Sequence, residues 1–227
     1  MRFLVTGANG FVGRALCAEL ANRAYSVRAV VRADAKLDVT DCEIVRISGI
    51  AADTDWGNAF HGVATVIHLA ARVHIMRDDT LDPLTEFRKT NVAGTEQLAR
   101  AAAASGVKRL VYVSSIKVNG EATQGNDRFT ESDMPFPQDP YGISKWEAEQ
   151  ALHRVATETG LEIVIVRPPL VYGPSVKGNF AQMLKVLRRG IPLPLASVQN
   201  LRSLVFVGNL VDALIACATH SAAIGQT

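Results

Sequence analysis

The feature that most constrains this chain is a glycine-rich bend set between a short apolar run and an amphipathic stretch. Phe3-Leu4-Val5 leads into Gly7-Ala8-Asn9-Gly10-Phe11-Val12-Gly13, and from Phe11 onward Val12, Ala15, Leu16 and Leu20 recur at helical spacing. A strand that turns sharply into a helix leaves the first helical amides unpaired, facing whatever fills the bend. Glycines let the backbone come close to that filler, and the helix N-terminus favours negative charge, so the arrangement suits a pyrophosphate. The spacing is G-x-x-G-x-x-G instead of G-x-G-x-x-G, so the strand–turn–helix context carries the reading. Gly7, Asn9, Gly10, Phe11, Val12 and Gly13 are therefore expected to line a dinucleotide.

Further along, apolar runs read as strands at residues 26–31, 44–47, 64–70, 110–113 and 161–166. Helical patterns fall between them, at residues 84–104 and 141–159, stopped by Ser105-Gly106 and by Gly160. Strands alternating with helices predict βαβ units: an α/β fold of the Rossmann type, a doubly wound parallel sheet. Residues 119–139, rich in Gly, Asp, Pro and Thr, form a long loop, which in a compact domain usually serves function.

The composition excludes several classes. A net charge of +2 over 227 residues gives no field for nucleic acid or an anionic membrane surface. No apolar run nears the roughly 20 residues of a membrane helix, and Met1-Arg2 enters the first strand without a signal-like stretch. Cys17, Cys42 and Cys217 are scattered and odd in number, which fits core-filling thiols in a reducing compartment. A cytoplasmic protein is expected.

Three further positions carry chemistry. After the second strand an NAD site usually places an acid for the ribose hydroxyls, but this chain has Val31-Arg32, with Arg28 on the same face. A guanidinium in place of a carboxylate suits a 2′-phosphate, so NADP is favoured over NAD. Tyr141 and Lys145 stand one helical turn apart, which lets an ammonium favour the phenolate of a residue whose free pKa is about 10. Ser115 follows a strand, where the carboxyl ends of an open parallel sheet bind ligands, and can orient a substrate oxygen while Tyr141 moves its proton.

In this order the residues resemble the extended branch of the short-chain dehydrogenase/reductase superfamily, which holds nucleotide-sugar epimerases, dehydratases and reductases. The resemblance implies Ser115, Tyr141 and Lys145 as the catalytic set. It adds His68-Leu69-Ala70-Ala71 as a stretch lining the cofactor, Asn91 as a support for the lysine, and Arg167-Pro168-Pro169-Leu170-Val171-Tyr172-Gly173-Pro174 as packing on the nicotinamide side. Asn179 and Arg202 fall where nucleotide-sugar members meet the diphosphate and base. The stretches around Arg72, His74 and Lys117 are similar to those of UDP-glucose 4-epimerase-like bacterial enzymes, some of which reduce 4-keto sugars. Residues 1–167 then form the dinucleotide-binding domain, and 168–227 begin a small substrate-binding lobe that is incomplete, since extended members run longer than 227 residues.

The sequence departs from that pattern at Arg32, where the acid is missing, and at Ile50, where an aspartate often contacts adenine. The resemblance implies hydride transfer between a nicotinamide cofactor and C4 of a UDP-linked sugar. The favoured reaction is reduction of a 4-keto sugar. The alternatives are 4-epimerisation with retained NAD and a non-catalytic dinucleotide-binding protein. Ile116 and Lys117 stand where a dehydratase often has acids. Pairing into a homodimer through the helices near Leu84 and Tyr141 is also implied.

Overall fold

The computed structural model describes residues 1–35, 41–73, 82–125, 127–176, 178–190 and 200–227. Six parallel strands form one sheet: β1 (Arg2–Thr6), β2 (Ser26–Arg32), β3 (Glu43–Ile47), β4 (Thr65–His68), β5 (Arg109–Val113) and β6 (Glu162–Val166), in the order β3-β2-β1-β4-β5-β6. The order reverses direction at β1 and β4, which opens a crevice beyond the carboxyl ends of these strands.

Side-chain alternation along the strands builds two cores. Leu4, Val66, Leu110 and Tyr112 face one side, where Leu98, Ala99 and Ala102 of α3 (Thr95–Ala104) and Ala148, Leu152 and Val155 of α4 (Pro140–Thr159) cover them. Phe3, Val5, Ile67 and Val111 face the other, beneath Leu16, Cys17 and Leu20 of α1 (Phe11–Asn22) and Leu210, Val211 and Leu214 of α6 (Val207–Thr219). The doubly wound sheet expected from the sequence is the fold observed.

Three details differ from the sequence reading, each for a local reason. β4 stops at His68, short of residue 70, because the Ala70 amide leaves the ladder to donate to Thr6 Oγ1 at 3.2 Å. The helix expected over 84–104 is α2 (Pro83–Arg88), a π-helical turn at Lys89–Gly94, and α3. That turn ends where Gly94 meets the chain at Ile50-Ala51, so closely that a Cβ would stand 2.9 Å from the Ala51 nitrogen. Finally, α6 lies within the segment assigned to a substrate lobe, yet its Leu210, Val211 and Leu214 are sealed into the main core. A division at residue 167 thus does not coincide with a break in packing.

The rest of that segment also reaches the main fold, since Val171 and Val205 pack on the same core and the Gly225 N–H donates to the Ile163 carbonyl of β6 at 2.9 Å. Strand β7 (Leu170–Tyr172) pairs in parallel with β8 (Leu204–Phe206), and α5 (Asn179–Arg188) lies between them in sequence. Leu187, Leu201 and Leu204 are exposed there. Among the described residues no helix is long and apolar enough to cross a membrane.

Candidate active site

The site is built where β5 ends and α4 begins. Asp139 caps α4, its carboxylate accepting the Gly142 amide at 2.5 Å, and Pro140 occupies the first turn, where its missing N–H costs nothing. The next residue is Tyr141, with Lys145 one turn further. After β5 the chain passes through Ser114 and Ser115 into a short 3₁₀ turn, Ile116–Val118, tied to the following segment by Ile116 N–H to Pro168 O at 3.1 Å. There the Ser115 hydroxyl comes near enough to the Tyr141 phenol to favour its deprotonated form. Two residues 26 positions apart in sequence thus meet at the carboxyl end of the sheet.

The electrostatics run against one expectation. Burial pushes the Tyr141 phenol up to about 12, the Asp139 charge adds to this, and the Ser115 hydroxyl opposes it. The Lys145 ammonium is 6.0 Å from the Tyr141 ring centroid and donates to the Val113 carbonyl at 2.7 Å. It also sits 4.3 Å over the Tyr112 ring. Burial lowers Lys145 to about 7, with Glu149 working to keep it charged. The proton on this lysine is therefore weakly held near neutral pH, whereas that on the tyrosine is tightly held.

Below the lysine lies a buried ion pair that the sequence reading missed. Glu149, fully buried one turn after Lys145, takes both arms of Arg167, at 3.0 Å and 2.6 Å, and accepts from Ser114 Oγ. Arg167 also donates to Asn119 Oδ1 at 3.2 Å, and Asn119 holds the Thr130 carbonyl at 2.8 Å. The Lys145-x-x-x-Glu149 spacing was a legible signal. The partner across the fold was not.

The glycine bend fits a diphosphate. A Cβ on Gly13 would stand 2.2 Å from the Gly7 carbonyl oxygen, and one on Gly7, whose φ is +67°, would stand 2.9 Å from the Ala70 nitrogen. Only bare backbone can close this curve. Gly10 caps α1 with no side chain over the first amides, leaving them for an anion. Phe11 and Val12 open that helix and Asn9 flanks it, half-buried. Half-buried Leu69, Ala70 and Ala71 form the facing wall, with Pro168 beside the Ser115 turn.

The remaining expected residues divide. Asn91 makes no direct hydrogen bond to Lys145. Its amide oxygen accepts from the Arg72 N–H at 2.8 Å, and its nitrogen donates to the Arg72 carbonyl and to Ser144 Oγ, both at 3.0 Å. Ser144 in turn donates to the Tyr141 carbonyl at 2.7 Å, so Asn91 steadies the first turn of α4 one residue short of the lysine. Arg72 lies 5.6 Å over the Phe87 ring, which itself meets Tyr141 edge-on at 6.0 Å. The Lys117 ammonium is taken up by Asp139 and Glu121. Asn179 is the first residue of α5, and Arg202 is exposed ahead of β8. His74 lies outside the described residues.

At the end of β2, Arg32 is exposed, with Asp34 3.9 Å from its guanidinium. Arg28, expected beside it, is buried. Its guanidinium donates to the carbonyls of Asn58, Ala59 and His61 and to Glu43, so its charge is already engaged away from the strand end. The preference for NADP loses one of its two supports.

A family model of the NAD dependent epimerase/dehydratase family matches residues 3–227. The chain belongs to that family. It is 44% identical over 225 residues to a UDP-glucose 4-epimerase of Vibrio cholerae, covering 98% of this chain and 68% of that one. Among solved structures it is similar to MoeE5 in complex with UDP-glucose and NAD, with a TM-score of 0.81 and 29% identity over 97% of this chain and 72% of that chain. A UDP-glucuronic acid 4-epimerase from Bacillus cereus, in complex with NAD, matches with a TM-score of 0.83 and 25% identity, over 100% and 76% of the two chains. The names of these relatives are in line with the resemblance read from the sequence. The NADP preference read from Arg32 finds no support among these relatives, whose solved members hold NAD.

Proposed function

We propose that this chain carries the catalytic region of a UDP-sugar 4-epimerase that uses NAD. The observation that carries the reading is the placement of Tyr141 and buried Lys145 one helical turn apart at the start of α4, beside the Ser115 turn that follows β5. Likeness to the 4-epimerase of Vibrio cholerae favours epimerisation over the net reduction suggested by Arg32. The chain spans about two thirds of that relative's length, 68%, so the activity of a whole enzyme is part of the proposal.

When bound, NAD supplies a reversible two-electron acceptor for the sugar carbon that bears the 4-hydroxyl. The residues suited to hold it are the amides of the Gly7–Gly13 bend, the Leu69–Ala71 wall and Lys145. Tyr141 takes the proton from the 4-hydroxyl and later returns it. Ser115 orients the same oxygen and favours the deprotonated phenol. Glu149 and Arg167 keep the base of this arrangement rigid. Inversion requires the 4-keto sugar to turn over between the two transfers so that C4 is reduced on its opposite face, while its oxygen stays within reach of Tyr141 and Ser115. Arg72, Asn179 and Arg202 are the candidates for the substrate side.

The test is to incubate the purified chain with NAD and UDP-glucose or UDP-galactose, following sugar composition and reduced nicotinamide together. Interconversion of the two sugars with no net reduction supports the epimerase. Stoichiometric consumption of reduced cofactor with a UDP-4-keto sugar, without interconversion, overturns it. Titrating NADH and NADPH in parallel decides the cofactor, and NADH is expected to bind more tightly.

A further inference from the structure

Ser115 and Tyr141 reach each other from two separate elements, and the residues that join those elements are Lys117 and Asp139. Lys117 stands two residues after Ser115, and its N–H donates to Ser115 Oγ at 3.3 Å. Its carbonyl presses on the first turn of α4, so closely that a Cβ on Gly142 would lie 3.0 Å away. Its ammonium pairs with one oxygen of Asp139, two residues before Tyr141, and with Glu121 at 3.1 Å. The other Asp139 oxygen caps α4 through the Gly142 amide. One carboxylate thus holds the helix of the phenol and the turn of the serine at once.

We propose that Lys117 and Asp139 are a positioning pair, whose ion pair locks the Ser115 turn onto the first turn of α4 and offsets the Asp139 charge at the Tyr141 phenol. This rests on the reading of Tyr141 as the proton carrier. It also assigns Lys117 a task other than contacting substrate. Burial and the Asp139 charge both raise Tyr141. Burial works against the charge on Lys117, but Asp139 and Glu121 outweigh it and raise that group. The other groups facing the phenol are Lys145 of its own helix, Tyr112 of β5, and Phe87 of α2 with Arg72 above it. The geometry gives the two partners opposite effects on the phenol, which a merely structural tie would not.

The experiment compares the full chain with Lys117→Gln, Asp139→Asn and the double variant. Asparagine caps a helix about as well as aspartate, so Asp139→Asn removes charge and keeps the cap. The pH midpoint at which turnover gains its deprotonated base is expected to rise by at least about 0.5 unit in Lys117→Gln and to fall by a similar amount in Asp139→Asn. In the double variant it is expected to lie nearer the parent than in either single one. Lys117→Arg is expected to restore the parent midpoint, and KM for the UDP-sugar to stay within about threefold throughout. Shifts of the same sign in both single variants would overturn the proposal. So would an unchanged midpoint in Lys117→Gln with a raised KM, which would make Lys117 a substrate contact.

Tyrosinate absorbance, titrated for each protein against its Tyr141→Phe counterpart, reads the phenol without turnover. The same ordering is expected there, and its absence refutes the pair even if the sugar chemistry proves different. Failure of the functional reading shows separately, as turnover retained by Tyr141→Phe in the otherwise unchanged chain.

Discussion

Gly13→Ala tests the dinucleotide cradle with the smallest perturbation available, one methyl group. That methyl would stand 2.2 Å from the Gly7 carbonyl oxygen and 2.8 Å from the Ala8 Cα. Ordinary carbon contacts are about 3.5 Å, so one wall of the bend must retreat by roughly 1 Å, and both walls are backbone. Two effects on stability oppose each other. Forcing an extra methyl into packed structure costs about 1–3 kcal/mol, while alanine within α1 recovers about 1 kcal/mol over glycine in helix propensity. The net loss of folding stability is therefore expected to be about 0–2 kcal/mol. Cofactor binding has no such offset. A helix start moved by an ångström weakens amide hydrogen bonds to a charged diphosphate, each worth about 1.5–3 kcal/mol. Losing one of them weakens affinity by at least about tenfold, and losing two by about a hundredfold or more. Calorimetric titration with NAD, alongside thermal melts of both proteins, measures the two effects separately. An affinity within about twofold of the parent would refute the reasoning, because the bend could then not be what cradles the diphosphate.

Two other outcomes follow from groups around the site. Glu149→Ala leaves Arg167 buried without its carboxylate, which is expected to cost about 3–5 kcal/mol in urea unfolding, whereas Glu149→Met with Arg167→Met recovers most of it. His68 is buried between Thr6 Oγ1 at 2.6 Å and Thr95 Oγ1 at 3.0 Å, and burial, with the Lys145 charge adding to it, lowers its pKa from 6.5 to about 3. Between those values the unfolded chain binds a proton that the native one refuses, so stability falls as pH drops through that window. His68→Gln is expected to flatten this slope in unfolding measured against pH. An identical slope in the variant would contradict the assignment.

The frame of the molecule was legible because it depends on patterns that are local in sequence. Apolar runs at Phe3–Val5 and Leu110–Val113 alternate faces and give the sheet, and the Gly7–Gly13 bend marks the first crossover. Ser115, Tyr141 and Lys145 were legible because their spacing along one strand end and one helix turn survives folding unchanged. What escaped depends on contacts between distant residues. Arg28 shares a strand face with Arg32, yet its burial follows from three carbonyls at Asn58, Ala59 and His61 that no periodicity announces. The π-helical turn at Lys89–Gly94 follows from the close approach of Ile50-Ala51, a packing event invisible to helical spacing. Asn91 matched a family position but turned toward Arg72 and Ser144, since its place on that turn aims it there. Lys117 was implied by the resemblance as a substrate-side candidate, and its pairing with Asp139, 22 residues later, is a contact that no local pattern announces.

The central claim, that Tyr141 carries the proton at a site assembled around a bound dinucleotide, is tested most directly by Tyr141→Phe, with NAD affinity and UDP-sugar turnover measured on the same preparation. Loss of the hydroxyl is expected to lower kcat by about 10²–10⁴-fold while NAD affinity stays within about threefold, because the cradle lies in other elements. Turnover that persists at the parent rate with NAD still bound would contradict it.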